Sequence, residues 1–264
     1  MTRSMRLPSK RARTDPTEAP VVPLMPRFRY DATVTARFPT IVGGIIHARG
    51  VASGSTPTDL TRAFRDEQAA VLARIGETPL SELPTLAAWR RVFRGFGVDP
   101  TAYRSAAEAL LRRLTKQGSI PSIGALVDLG NLVSIRHGLP VSVMDQAVVT
   151  GGTTVRVAVG HERFTDLGSG ARETPEPGEV IFVDEAGQVS ARRWCWRQSA
   201  ESASGPATTE ILVTVEGHHA AASSDVAAAM GDLEGLLRIH AAPAEMVAAV
   251  LHAGAPVFHG LDAG

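Results

Sequence analysis

Two adjacent histidines, His218 and His219, have side chains able to chelate a metal ion, but no constellation of Cys, Asp or Glu nearby in the sequence completes a ligand set. A pair of loop histidines is more often structural or simply exposed. The single cysteine, Cys195, stands between Trp194 and Trp196, where a buried, inert thiol is a simpler reading than a nucleophile. Being alone, it also excludes an internal disulfide framework and a multi-cysteine zinc site. Gly151-Gly152 and Gly168-Ser169-Gly170 lack the strand, glycine loop and helix of a nucleotide-binding fingerprint. Neither a G-x-S-x-G elbow nor an H-E-x-x-H helix occurs. Standard hydrolase and metalloenzyme chemistry therefore finds no support, and neither a metal nor another cofactor is expected.

The chain has 264 residues, 44% apolar and 20% charged, enough for one large domain or two small ones with a buried core. No run approaches the eighteen or so apolar residues of a membrane span, and the N-terminal region lacks the continuous apolar stretch of a secretion signal. The expectation is a cytoplasmic protein with no membrane partner. The 27 basic and 27 acidic side chains cancel, which argues against a protein that coats nucleic acid, DNA included, by phosphate neutralisation alone. An RNA-binding face then requires the arginines to cluster in space. Lys10 and Lys116 are the only lysines. Arginine suits phosphate forks, but biased codon usage explains the same excess equally well.

Residues 1–29 carry five prolines and several arginines and predict a disordered basic tail, leaving 30–264 as a single domain. A first strand is expected over Thr33 to His47, with Gly43-Gly44 as a bend or bulge. Thr58 or Asp59 can cap a helix that reaches Arg74 and stops at Gly76. Leu86, Trp89, Val92 and Phe93 recur at helical spacing. Ser105-Ala-Ala-Glu108 has capping-box spacing before a helix that Gly118 ends, and Ser122 can cap another that carries Leu126, Leu129 and Val133 and stops at Gly138. Strands are expected at Val155 to Val159, Val180 to Val183, Val189 to Trp196 and Ile211 to Val215, then two closing helices at Ser224 to Ile239 and Pro243 to His252. Helices, then strands, then helices again point to an α+β fold.

The block from Ile120 to Asp145 resembles the B3/B4 editing domain of the phenylalanyl-tRNA synthetase beta subunit. In that family a helix reading V-D-x-x-N-Y-V is followed by G-x-P-x-H-x-F-D. Val127, Asp128, Asn131, Val133, Gly138, Pro140 and Asp145 stand at the matching places without a gap. Arg156 stands at the arginine of the following family strand, and Gly160 to Gly168 is similar to the hairpin after it. The likeness covers roughly Trp89 to Glu216 and implies a B3/B4-like layered fold, with central β-sheets flanked by helices.

It also implies an activity: trans-editing, the hydrolysis of the ester in mischarged aminoacyl-tRNA, with the aminoacylated acceptor end as partner. Such a reaction answers a physical limit, because one binding pocket separates near-isosteric amino acids too weakly. The alternative is a non-catalytic tRNA- or amino-acid-binding module with the same fold. By resemblance Asn131 is the pocket asparagine, able to donate and accept, although a helix-face asparagine bonded to a neighbouring loop is an equal reading. Ser142 replaces the family's histidine; it can hold water or a hydroxyl, or be a plain strand-entry serine. Asn131 and Ser142 are the catalytic candidates, lining a cleft with Trp196 and Arg197. Among substrate-binding candidates, His137 is a possible spatial replacement for the missing histidine, and Asp145 is expected to order a turn. The strand starting at Thr208 or Thr209 should carry the family's glutamate. Gapless counting lands on Thr214 or Val215, which leaves Glu216 adjacent but out of strict register, so tyrosine specificity does not transfer.

Overall fold

The computed structural model describes residues 26–262. In chain order the elements are β1 (Phe28–Tyr30), α1 (Ala32–Arg37), β2 (Val42–Arg49), α2 (Thr58–Ile75), α3 (Pro84–Gly95), α4 (Ala106–Gln117), α5 (Ala125–His137) and β3 (Val141–Asp145). There follow β4 (Thr153–Val157), β5 (Phe164–Thr165), β6 (Arg172–Glu173), β7 (Val180–Val183), β8 (Val189–Arg192), β9 (Arg197–Gln198) and β10 (Glu210–Gly217). The chain closes with α6 (Ala222–His240), β11 (Glu245–His252) and β12 (Val257–Phe258).

The architecture is α+β. A four-stranded antiparallel sheet runs β11-β2-β10-β3, and a six-stranded sheet runs β12-β1-β4-β7-β8-β9. Side chains alternate along β10. Ile211, Val213 and Val215 join a core with α2, α5 and α6, while Leu212 faces a second core shared with Phe28, Tyr30, Phe182 and Trp194 of the other sheet. Helix α3 contributes Trp89, Val92 and Phe93 to that inter-sheet core. The same alternation turns Thr214 and Glu216 towards the six-stranded sheet, where a cavity lies.

Helix limits follow their punctuation. Gly76 ends α2, and Gly118 and Gly138, both left-handed, end α4 and α5. Ser105 caps α4 by accepting the Glu108 N–H at 3.3 Å, while the Glu108 carboxylate takes Arg90 at 2.5 Å. Ser122 does not cap α5. The N-cap is Gly124, and Ser122 and Thr56 instead donate to the Asp128 carboxylate, which also accepts the Ile123 N–H at 2.9 Å.

Four other expectations are corrected. Thr33 to Arg37 is helical rather than strand, because Asp31 accepts the Thr33 N–H at 2.8 Å and nucleates α1. The octapeptide Glu245–His252 is a strand, not a helix; its alanines suit a helix, but hydrogen bonding along all of β2 overrides that propensity. The strand expected over Val189 to Trp196 breaks after Arg192, where Arg193 and Trp194 adopt φ of 47° and 61°. Of the tail assigned to 1–29, residues 1–25 lie outside the described residues, whereas Phe28 and Arg29 belong to β1 and Phe28 is fully buried.

Gly43 and Gly44 form no bulge, since β2 pairs with β10 in unbroken register. They provide space instead. A Cβ on Gly43 would lie 2.0 Å from the Tyr30 hydroxyl, and one on Gly44 would lie 2.5 Å from Met230. Gly43→Ala should therefore cost about 1–3 kcal/mol by overpacking. The cost should shrink by at least roughly 0.5 kcal/mol in the Tyr30→Phe background. Denaturant unfolding of the four proteins measures both, and strictly additive costs would show that the hydroxyl is not the obstacle.

Candidate functional site

The site is assembled where the two sheets face each other. On β3 and β10, Ser142 pairs with Thr214, and their hydroxyls share a hydrogen bond of 2.8 Å. Two residues further along β10, Glu216 points the same way into the inter-sheet space and is buried. Its Oε1 accepts the Tyr30 hydroxyl at 2.6 Å and the Trp194 indole N–H at 3.1 Å. Its backbone carbonyl accepts the Trp89 indole N–H at 3.4 Å. No protein group binds Oε2 among the described residues.

Burial pushes the Glu216 carboxyl up to about 7, against the pull of its two donors. Burial, with Glu216 alongside, raises the Tyr30 phenol as well, so the phenol stays an O–H donor. Next to this cluster, His218 packs edge-on against Trp89 and Trp194 at centroid distances of 4.7 and 5.1 Å. Desolvation there, with His219 adding to it, lowers its pKa to about 3, so the ring is neutral at ordinary pH. His219 pairs with Asp225 at 2.8 Å. No group of three potential metal ligands occurs among the described residues.

The opposite wall is the turn from β8 to β9. With Arg193 and Trp194 both left-handed, the chain reverses within four residues. Trp194 is driven fully inward, and Cys195 and Trp196 are left half-buried. The partly open cavity between them holds about 420 Å³ of non-atom space, open solvent included. Pro140, Val141, Phe182, Ala191, Trp194 and Cys195 give it apolar walls, and Ser142, Thr214, Glu216, Arg197 and Gln198 are its polar groups. Arg197 is tied to Asp166, whose carboxyl it holds well below the usual range, and lies 4.6 Å from the Trp196 ring centroid. Burial and the nearby Glu216 push the Cys195 thiol up, so it is no thiolate nucleophile even though it reaches the wall.

Of the residues singled out in the sequence, Ser142, Trp196, Arg197 and Glu216 come together here. Glu216 shares the Thr214 face, because it stands two positions along β10, with Val215 alone between them. Asn131 does not join them. Helix α5 packs on the other face of β3, where Gly130 approaches the side chains of Val141 and Val143, so β3 stands between that helix and Ser142. The Asn131 side chain is half-buried, without a hydrogen-bond partner among the described residues and away from the cavity wall. The wall expected from Asn131 and Ser142 together is therefore not formed. His137 binds Asp232 at 2.8 Å at the C-terminal end of α5 and does not line the cavity. Asp145 orders a turn, accepting the Ala147 N–H at 2.8 Å and the Thr208 hydroxyl at 2.6 Å. Thr209 is exposed and contributes only its carbonyl, to Val51. Sequence reasoning missed Tyr30, which carries no local signal and reaches the site from 186 residues away.

The family model described as B3/4 domain matches residues 88–231, more than half of the chain. The chain belongs to the B3/4 domain family. Within this B3/4 protein the matched segment includes Trp89, Ser142, the β8–β9 turn, Thr214 and Glu216. It is similar to the phenylalanine-tRNA ligase beta subunit of Nocardia farcinica, 34% identical over 168 residues, which is 63% of this chain and 19% of that protein. It is also similar to the corresponding subunit of Chromobacterium violaceum, 32% identical over 78 residues, or 30% of this chain and 10% of that protein. The chain thus spans a fifth or less of the length of these curated relatives. Among solved structures, an N-terminal fragment of the phenylalanyl-tRNA synthetase beta subunit from Pyrococcus horikoshii is matched. The TM-score is 0.43 at 10% identity, covering 83% of this chain and 49% of that one.

The elevated Glu216 pKa has a definite sign for stability. The unfolded carboxyl ionises near 4.5 and the folded one near 7, so the native state loses stability as pH rises through that interval. His218 acts oppositely: stability is gained from about pH 3 up to 6.5. Glu216→Gln isolates the first effect. The stability of this variant relative to the parent should rise between pH 4.5 and pH 7, by on the order of 3 kcal/mol. Unfolding at several pH values measures it, and a difference independent of pH would mean that the carboxyl titrates normally.

Proposed function

We propose that this protein hydrolyses the ester bond of mischarged aminoacyl-tRNA in the cytoplasm, acting in trans on the acceptor end. The observation that carries the proposal is the cavity between the sheets, apolar on most sides, with Ser142, Thr214 and the free oxygen of Glu216 converging in it. It lies within the segment that matches the B3/4 family, and the similar proteins carry a tRNA ligase name. Such a site, apolar with a few convergent polar groups, suits an amino acid more than a polymer.

In this scheme the aminoacyl group enters the cavity and the terminal ribose stays at its mouth beside Trp196 and Arg197. The Ser142–Thr214 hydroxyl pair holds the attacking water or the ester carbonyl. Glu216, through Oε2, accepts from an ammonium or hydroxyl of the amino acid and so reads its polar end. Water oxygen bonds to the carbonyl carbon, the bond from that carbon to the ribose oxygen breaks, and the free amino acid leaves as its acid. The proton lost by water passes by way of the neighbouring ribose hydroxyl to the departing oxygen. This route asks no side chain to act as the base; among the described residues Glu216 is the one carboxyl at the cavity wall.

The test is a panel of mischarged tRNAs incubated with purified protein. Deacylation above the spontaneous rate is expected for at least one member. Ser142→Ala should lower kcat/KM about tenfold, the loss of one hydrogen bond to the reacting centre. Asn131→Ala should change it less than about twofold, since Asn131 is away from the cavity. If no member of the panel is cleaved while the protein still binds tRNA, the site is a binding module and the hydrolytic role is wrong.

A further inference from the structure

Although the formal charge of the chain is zero, one groove is strongly cationic. It holds about 920 Å³ of open space, and its charged lining consists of Arg104, Arg112, Arg113, Lys116 and Arg197, with no carboxylate. Arg112, Arg113 and Lys116 stand at i, i+1 and i+4 on α4, opposite the Ala107, Leu111 and Leu114 face that packs into the core. They are exposed, and none is within ion-pair distance of a carboxylate among the described residues. The bordering acidic groups are already engaged: Glu108 by Arg90 and Arg104, Asp166 by Arg197. Like charges at i and i+4 destabilise a helix, so this stripe is kept at some cost to α4.

The groove and the cavity share a wall. Trp196 and Arg197 line both, and the first N–H of α4, from Ala106, donates to the Cys195 carbonyl at 2.7 Å. A ligand that occupies both spaces passes Trp196 and Arg197. From Arg112 to Lys116 the three cations extend about 6 Å along α4 at 1.5 Å per residue.

We infer that Arg112, Arg113 and Lys116 form a phosphodiester-binding track that holds the RNA strand leading to the cavity. The occupant rests on the hydrolytic function proposed above, and the track is testable apart from catalysis. Unfractionated, deacylated bacterial tRNA serves as the probe, with affinity measured from 50 to 200 mM salt for the parent and for the combined Arg112→Gln, Arg113→Gln, Lys116→Gln variant. These side chains are exposed, and an unchanged thermal melt checks the fold. The variant should bind at least tenfold more weakly at 50 mM salt, and its slope of log K against log salt should be shallower by about 2 to 3. The Arg62→Gln, Arg65→Gln protein, altered at exposed arginines of α2, should keep the parental slope. Equal affinity and slope for the α4 variant, or a parent that does not bind tRNA at 50 mM salt, would overturn the track. A slope change without any ester cleavage in the mischarged panel would leave the track standing and remove only the hydrolytic role.

Discussion

The carboxyl of Glu216 is the point on which distant parts of this chain depend. Removing a carboxyl from water is costly unless donors replace the solvent. Here both donors converge on a single oxygen, one from the tyrosine of β1 and one from the indole of the β8–β9 turn. A third aromatic donor, the indole N–H of Trp89 in α3, holds the carbonyl of the same residue. The tyrosine reaches its acceptor only because the facing position on β2 is glycine. One polar group thus sets requirements on two sheets, a helix and a turn.

The cavity follows from what surrounds that carboxyl. Facing sheets are normally filled by interdigitating side chains about 10 Å apart, and most of this interface is filled in that way by Phe28, Ile45, Phe182 and Leu212. Near the end of β10, small or short residues (Ser142, Ala191, Cys195, Thr214) replace the large ones, and the space left over is lined by hydroxyls. The helical core on the far side of β10 is uninterrupted. A polar pocket is therefore placed on one face of a strand whose other face carries ordinary packing.

Much of this was legible in the sequence where a signal was local. Gly76, Gly118 and Gly138 mark helix ends, Ser105 marks a helix start, and Val180–Val183 reads as a strand that is buried on both sides. The long block around Ser142 was legible through family likeness; Glu216 was a candidate too, but the count ended on Thr214 or Val215, and only the pairing of β10 shows that it shares the Thr214 face. The failures were non-local. Glu245–His252 has a helical composition and becomes a strand through pairing with β2; Asn131 has the right type and spacing, but a sheet separates it from the serine. Nothing near Tyr30 announces that its hydroxyl ends beside a residue from the far half of the chain.

The β8–β9 turn divides labour among its four residues. Trp194 is locked by rings and by its indole hydrogen bond, and with Arg193 it holds a left-handed backbone that bulky side chains seldom adopt. Cys195 and Trp196 show side chains to the cavity, and neither side chain donates a hydrogen bond to the frame among the described residues. Evolution can therefore exchange these two positions and reshape the pocket while the anchor stays put, so that relatives with one scaffold can diverge in the small molecule they accept.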